Sequence, residues 1–150
     1  MKIYDCFQFF DEEMLLDLRL NIMDKYVDKF VITEATYMHS GKPKKLIFDI
    51  SKFAKFKDKI IYNVVDKFPS NLEELNENDD ANKKNIKLIN NSNKREHYQR
   101  ELLKKSLKEL EPDDFIIISD IDEIPNLEKI NLKKIKKKLV LFKQKMFYYK

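Results

Sequence analysis

FIIISDIDEIPN, residues 115–126, places four consecutive apolar residues and one serine directly before three carboxylates and a proline. An apolar run without polar alternation is typical of a strand that is covered on both faces of a parallel sheet, so we expect FIII to be a central strand. Ligands of open α/β sheets bind beyond the carboxyl ends of the strands. The stretch therefore predicts an α/β fold with acidic side chains at the ligand-binding edge.

Strands and helices alternate along the chain before this stretch. Strands are predicted at 2–8, 29–36 and 59–65, and helices at 10–27, 50–58 and 94–110. Asp11 is expected to cap the first helix. The inward face of this helix is predicted from the helical spacing of Met14, Leu15, Leu18, Ile22 and Tyr26. The alternation predicts a mainly parallel central sheet, flanked by helices, in a single domain over residues 1–150.

Three segments are predicted with weaker patterns. Residues 66–94 are polar and rich in asparagine, which indicates a long surface loop with at most one short helix. After the acidic residues, 127–138 is predicted to be a basic amphipathic helix, and 139–149 to be a last strand. In the helix at 50–58, we expect Phe53 and Phe56 to face inward.

The composition excludes several classes of protein. The net charge of +4 is small against 30 cations and 26 anions, which does not indicate a nucleic-acid binder. Cys6 is the sole cysteine, which excludes an internal disulfide and a cysteine-based zinc site. Gly41 is the sole glycine, so the glycine-rich phosphate loops are absent. A bound phosphate would therefore need a metal ion or Lys and Arg side chains.

Asp120 and Asp122 are the candidate metal ligands. Side chains alternate along an extended segment, so both carboxylates should project to the same side and repel each other. A hard divalent cation such as Mg²⁺ or Mn²⁺ relieves that repulsion and commonly completes its shell with water and substrate phosphates. We therefore predict a metal-bridged diphosphate site, in which Glu123 is a further ligand, an outer group or a base.

Two chemistries use paired aspartates after a strand. A phosphatase of the haloacid dehalogenase type needs Thr or Val where this chain has Ile124, and it carries its motif near the chain start. A nucleotide-sugar glycosyltransferase of the GT-A type has about a hundred residues of nucleotide-binding α/β structure before its D-x-D motif. The position of Asp120 and Asp122 favours the second chemistry.

Four blocks of sequence resemble glycosyltransferase family 17, the family of the β-1,4-mannosyl-glycoprotein β-1,4-N-acetylglucosaminyltransferases. They are IYDCFQFFDEEMLLDLRL (3–20), VITEATYMHSGKPK (31–44), REHYQR (95–100) and FIIISDIDEIPN, in the order of the family. The resemblance implies a GT-A fold, a UDP-N-acetylglucosamine donor, a divalent ion (usually Mn²⁺) and inversion at the sugar carbon. It also implies metal and diphosphate binding at Asp120 and Asp122.

The resemblance suggests further donor-binding residues. Glu34 ends the second strand, where it would face the nucleotide or remain a solvated carboxylate. Arg95 and Arg100 belong to the REHYQR block, where either could neutralise a phosphate or be an ordinary surface charge. No catalytic residue is assigned with certainty, and Glu123 is the candidate base.

The resemblance also implies what lies beyond this sequence. Family members extend further, so the acceptor contacts and the general base are expected outside these 150 residues. The alternative to an N-acetylglucosaminyltransferase of glycan biosynthesis is an inactive, truncated remnant that binds a sugar nucleotide. No signal peptide or membrane-spanning run is found, so we expect a cytoplasmic protein, soluble or peripheral at a membrane.

Overall fold

The computed structural model describes residues 1–145 and contains a four-stranded sheet. The strands are β1 (Ile3–Phe9), β2 (Lys29–Ala35), β3 (Ile60–Val65) and β4 (Phe115–Ile118). Their order is β3-β2-β1-β4, and every neighbouring pair is parallel. The predicted α/β class is confirmed, and the all-parallel sheet is consistent with a GT-A-like fold.

Helical elements cover both faces of the sheet. Helix α1 (Glu13–Met23) and the 3₁₀ segment Ile50–Phe56 pack on one face, where the side chains of Phe53 and Phe56 are buried as predicted. Helix α2 (Ala81–Glu101) and the 3₁₀ segment Leu102–Ser106 lie on the other face. A third short 3₁₀ segment is Leu132–Lys134.

Strand β1 lies inside the sheet and contributes side chains to both layers of the core. Phe7 and Phe9 belong to the cluster on the α1 face, whereas Tyr4 and Cys6 belong to the cluster that contains Leu103. All of these side chains are buried, because β1 is paired on both edges and covered on both faces. Strand β1 therefore contributes to the core on both faces of the sheet.

Strand β4 lies at the edge of the described sheet, so the prediction of a central strand covered on both faces is wrong. Ile117 packs into the core, but Ile116 and Ile118 are 36% and 56% exposed. Within residues 1–145, β4 pairs only with β1. An apolar run reports β propensity and does not by itself report how many neighbours a strand has.

The inward face of the first helix agrees only in part with the predicted one, since Leu15 and Tyr26 are partly buried against the core. Leu16, Leu20 and Met23 are fully buried, whereas Met14, Leu18 and Ile22 are exposed. Arg19 is also buried, and it lies on the same buried face of the helix as Leu16 and Leu20. The predicted cap is also wrong, because Glu12 rather than Asp11 stands at the N-cap position.

Helix α2 begins at Ala81, inside the segment that was predicted to be a loop, and ends at Glu101 rather than at 110. The side chain of Asp80 caps its first turn by accepting from the Lys83 N–H at 2.7 Å. The helix at 127–138 is wrong apart from the short segment Leu132–Lys134, because a run of lysines four residues apart repels itself in a helix. Residues 139–145 form no strand, and 146–149 lie outside the described residues.

Candidate functional site

The strand order reverses between β1 and β4. From β1 the chain adds β2 and β3 on one side, and it then crosses to place β4 on the other side. Crevices for ligands form at such switch points, beyond the carboxyl ends of the strands. A cavity of about 490 Å³ opens here, and it is lined by Gln8, Phe9, Phe10, Glu12, Leu15, His39, Glu96, Gln99, Asp120, Ile121 and Asp122.

The acid loop, residues 119–123, follows β4 at this edge. Asp120 and Asp122 both line the cavity and are exposed, whereas Ile121 between them is buried in the core cluster. The structure therefore places both aspartates in the lining of one cavity, which Ile121 also lines. Residues 120–123 form a turn, so the extended segment with alternating side chains that the sequence predicts is wrong.

Hydrogen bonds within the acid loop stabilise its turn. The Glu123 N–H donates to the Asp120 carbonyl at 3.1 Å, and the Ser119 hydroxyl donates to the Glu123 carbonyl at 3.0 Å. The Glu123 carboxylate accepts from the Asp120 N–H at 3.2 Å. Glu123 thus closes the turn in this structure, and its role as a base stays a prediction.

Arg19 connects the acid loop to β1 from inside the protein. Its guanidinium forms a bidentate pair with Asp5 at 2.9 and 2.7 Å, and both side chains are 0% exposed. The same guanidinium donates to the Asp120 carbonyl at 2.6 Å and to the Ile121 carbonyl at 3.2 Å. It also donates to the Ser119 hydroxyl at 2.7 Å. Sequence reasoning missed this residue, although a carboxylate inside the apolar strand IYDCF indicates a buried cation nearby.

Arg100 is the arginine of the REHYQR block that reaches the acid loop. Its Nη2 lies 2.8 Å from the Asp120 carboxylate and 3.0 Å from the Glu96 carboxylate. The Arg100 side chain is 38% exposed, so it is accessible from solvent at the end of α2. A cation is therefore present beside the predicted metal ligand, where it could also pair with a phosphate oxygen.

Arg95, the other arginine of that block, contacts a different part of the chain. Its Nη1 donates to the His39 carbonyl at 2.9 Å, and its guanidinium lies 5.4 Å from the centre of the Phe68 ring. In this structure Arg95 holds the loop around Gly41, from which His39 lines the cavity. Its predicted contact with the donor phosphates stays a prediction.

Glu34 is a buried anchor for the segment that follows β2. It is 0% exposed and accepts from the Tyr62 hydroxyl at 2.8 Å, from the Ile47 N–H at 2.9 Å and from the Phe48 N–H at 3.1 Å. The Lys44 ammonium completes this set of donors. Burial, and then the Glu34 carboxylate, raise the pKa of Tyr62. The structure does not show a solvated strand end, and a direct contact with a nucleotide would have to displace one of these donors.

Asp120 and Asp122 offer carboxylate oxygens, the ligand type that hard divalent ions prefer, and metal binding at them stays a prediction. Both residues line the switch-point cavity, and Arg100, which could pair with phosphate, lies beside Asp120. Among residues 1–145 no group of three or more His, Cys, Asp or Glu side chains is placed to hold a metal ion. Two carboxylates are nevertheless enough for Mg²⁺, which in nucleotide sites takes its other ligands from water and phosphates.

A larger cavity of about 1030 Å³ follows β4 and is lined by residues from 112–118 and 132–142. None of the acid-loop residues lines it. Another cavity, of about 580 Å³, is lined by Ser119, Asp122 and Glu123 but not by Asp120. The cavity at the switch point is lined by both aspartates, and it is therefore the candidate site.

The all-parallel sheet defines an α/β protein, and its architecture is consistent with the GT-A-like class. The model of glycosyltransferase family 17 matches residues 1–149, and the chain belongs to this family. Searches of curated proteins and of solved structures returned no match. Family membership decides between the two predicted chemistries in favour of the glycosyltransferase. Within residues 1–145, no helix has the length and apolar character needed to cross a bilayer.

Proposed function

We propose that this glycosyltransferase binds UDP-N-acetylglucosamine in the switch-point cavity with a divalent ion, Mn²⁺ or Mg²⁺, and transfers the sugar to a glycan with inversion. The observation that carries the proposal is that Asp120 and Asp122 line one cavity, with Arg100 at 2.8 Å from Asp120. The family supports sugar transfer, and the chemistry of the side chains supports the metal and the diphosphate.

Each charged group has a distinct role in this proposal. Asp120 and Asp122 would hold the ion, and Arg100 would pair with a phosphate oxygen of the donor. A bound divalent ion supplies charge stabilisation to the diphosphate as it departs. The positive charges of the bound ion and of Arg100 would together offset the negative charge that UDP acquires when the bond to the sugar breaks.

Two hydrogen bonds from side chains to backbone carbonyls connect the elements that line the cavity. The side-chain amide of Gln8 donates to the Glu96 carbonyl at 3.2 Å, and that of Gln99 donates to the Thr33 carbonyl at 3.1 Å. These two bonds connect α2 to β1 and β2 where both side chains line the cavity. The donor would therefore bind against a wall that is ordered before it arrives, which reduces the entropy cost of binding.

Inversion requires a base for the acceptor. The acceptor oxygen bonds to the anomeric carbon as the bond to UDP breaks, and the hydroxyl proton passes to the base. Glu123 is the candidate among the described residues, and its carboxylate would have to release the Asp120 N–H to reach an acceptor.

Thermal unfolding with UDP and Mn²⁺ tests the binding step. Ligand at 100 times its dissociation constant should stabilise the fold by about 2.7 kcal/mol. Asp122→Ala should lose this shift, whereas Asp113→Ala should keep it, because Asp113 is an exposed carboxylate before the opposite end of β4. No shift in the wild type, or the same shift in Asp122→Ala, would contradict the proposal.

Turnover is tested separately with labelled UDP-N-acetylglucosamine, with and without glycan acceptors. Release of UDP that depends on Mn²⁺ and on Asp122 supports the transferase. Binding without release on any acceptor favours the predicted remnant. Preference for the N-acetylglucosamine donor over UDP-glucose in the same assay tests the sugar.

A further inference from the structure

The Arg19 side chain is hydrogen-bonded both to the Asp5 carboxylate on β1 and to the acid loop. A guanidinium has five N–H donors in a rigid fork, and in Arg19 those of Nε and Nη2 reach Asp5 and Ser119. The Nη1 donates to the carbonyls of Asp120 and Ile121. The guanidinium also stacks over Phe7, with 4.5 Å from Cζ to the ring centre. These contacts leave Arg19 no freedom to move independently of the acid loop.

We propose that Arg19 is a positioning residue that holds the acid loop in the conformation in which Asp120 and Asp122 face one cavity. This inference rests on the proposed function, and it adds a buried residue on α1 that touches neither metal nor donor. Its action passes through the backbone, because the two carbonyls that it binds belong to Asp120 and to Ile121 directly before Asp122.

The location of the bonds distinguishes positioning from general stabilisation. A buried ion pair is weak evidence for stability, because desolvation offsets much of its attraction. The bonds to the Asp120 and Ile121 carbonyls lie outside that pair and fix the peptide groups between the two aspartates. The Arg19 side chain is fully buried, so the loop is held from inside the protein.

Two variants separate these roles. In Asp5→Leu/Arg19→Met, apolar side chains replace the whole ion pair, which removes the loop bonds without leaving a buried charge. Arg19→Lys keeps a cation for Asp5 but lacks the fork that reaches both carbonyls. The matched control is Asp79→Leu/Lys87→Met, since this pair at 2.5 Å is also largely buried and lines no part of the cavity.

Amide hydrogen exchange of residues 119–123 and the dissociation constant for Mn²⁺ with UDP are the two measurements. We expect the double variant to unfold cooperatively, with faster exchange in the acid loop and binding weaker by about tenfold or more. Arg19→Lys should show the same direction of change, and it carries the test alone where the double variant does not fold. The Asp79 and Lys87 control should change neither measurement in the acid loop.

Folded variants with wild-type exchange in the acid loop and wild-type binding would overturn the inference. A wild type that binds no Mn²⁺ with UDP would instead refute the proposed function. In that case the exchange comparison still decides whether Arg19 orders the loop, and unchanged protection in the variants rejects it.

Discussion

Arg100 pairs with the Asp120 carboxylate, which the proposed metal ion would also bind. The Arg100 Nη2 lies 2.8 Å from this carboxylate and 3.0 Å from that of Glu96, so the guanidinium has two acidic partners. Arrival of a metal together with a diphosphate would give Arg100 a new anionic partner as it releases Asp120. Metal and nucleotide should therefore bind more tightly together than either does alone.

Arg100→Gln should separate these two contributions. Mn²⁺ alone should bind at least as tightly as in the wild type, because no cation competes for Asp120. UDP with Mn²⁺ should bind more weakly by about 1.5–3 kcal/mol, the usual value of a hydrogen bond to a charged group. Paramagnetic resonance of free Mn²⁺ and calorimetry with UDP measure the two constants.

The control for Arg100→Gln is Lys104→Gln, which removes an exposed cation that pairs with Glu101. It should leave both dissociation constants nearly unchanged, because an exposed surface charge contributes little. Equal weakening of Mn²⁺ and of UDP in Arg100→Gln would contradict the competition between Arg100 and the metal.

Cys6 is fully buried in the core cluster that contains Leu103, so its ionisation depends on folding. Burial, and then the neighbouring Asp5 carboxylate, raise the pKa of the Cys6 thiol from 9.0 to about 12. The native protein therefore keeps the proton where the unfolded chain loses it. The free energy of unfolding should fall as the pH rises from about 9 to 12, and this thiol should make no pH-dependent contribution below that window.

Urea unfolding across this pH range, compared between wild type and Cys6→Ala, measures the effect of the thiol alone. The wild type should lose stability relative to Cys6→Ala as the pH rises. A constant difference between the two proteins over the range would show that Cys6 ionises as readily in the native state as in the unfolded chain.

At the scale of elements, the loop around Gly41 connects β2 to the cavity wall. Gly41 has φ of +90°, and the Arg95 guanidinium would lie 2.9 Å from an added Cβ. The same guanidinium donates to the His39 carbonyl, and His39 lines the cavity. The glycine is therefore needed for the turn, and it leaves space for the Arg95 side chain that donates to the His39 carbonyl.

Gly41→Ala should lower the free energy of unfolding by about 1–2 kcal/mol, the cost of a left-handed conformation for a residue with a Cβ. Because Arg95 would have to move from His39, UDP binding should weaken as well. Chemical unfolding and calorimetry test the two effects, with the exposed Ser40→Ala as the control. Wild-type values for Gly41→Ala would show that the loop adapts without involving the cavity.

The strands could be predicted from the sequence more reliably than the helical faces. β-branched and aromatic runs gave strand bounds within about two residues of those observed, because β propensity follows burial on a pleated surface. Helix α1 has leucines or other apolar residues on two stripes, and only its pairing with Asp5 decides that Arg19 and not Leu18 faces inward. That choice depends on a contact between distant elements.

Helix α2 shows the converse difficulty. Its first half is rich in asparagine and lysine, which predict a loop, and yet it is helical from Ala81. Buried polar contacts hold it, such as that of Asn91, whose amide donates to the Glu73 carbonyl at 2.8 Å. Such bonds between a helix and a loop have no periodic signature in the sequence.

At the scale of the whole molecule, the candidate site is a product of strand order. The sequence places the aspartates after a strand, but the position of that strand beside β1 brings them next to Gln8, Phe10 and the start of α1. Arg100 joins them from the end of α2 on the other face of the sheet. The two aspartates were therefore identifiable as candidate ligands from local sequence, whereas the composition of the cavity required the topology.

Crystals grown with Mn²⁺ and UDP, measured near the manganese absorption edge, test the central claim most directly. We predict one anomalous peak in the switch-point cavity, within coordination distance of the Asp120 and Asp122 carboxylates and of the UDP phosphates. UDP in the cavity with no manganese on either aspartate, or manganese and UDP bound at another surface, would contradict it.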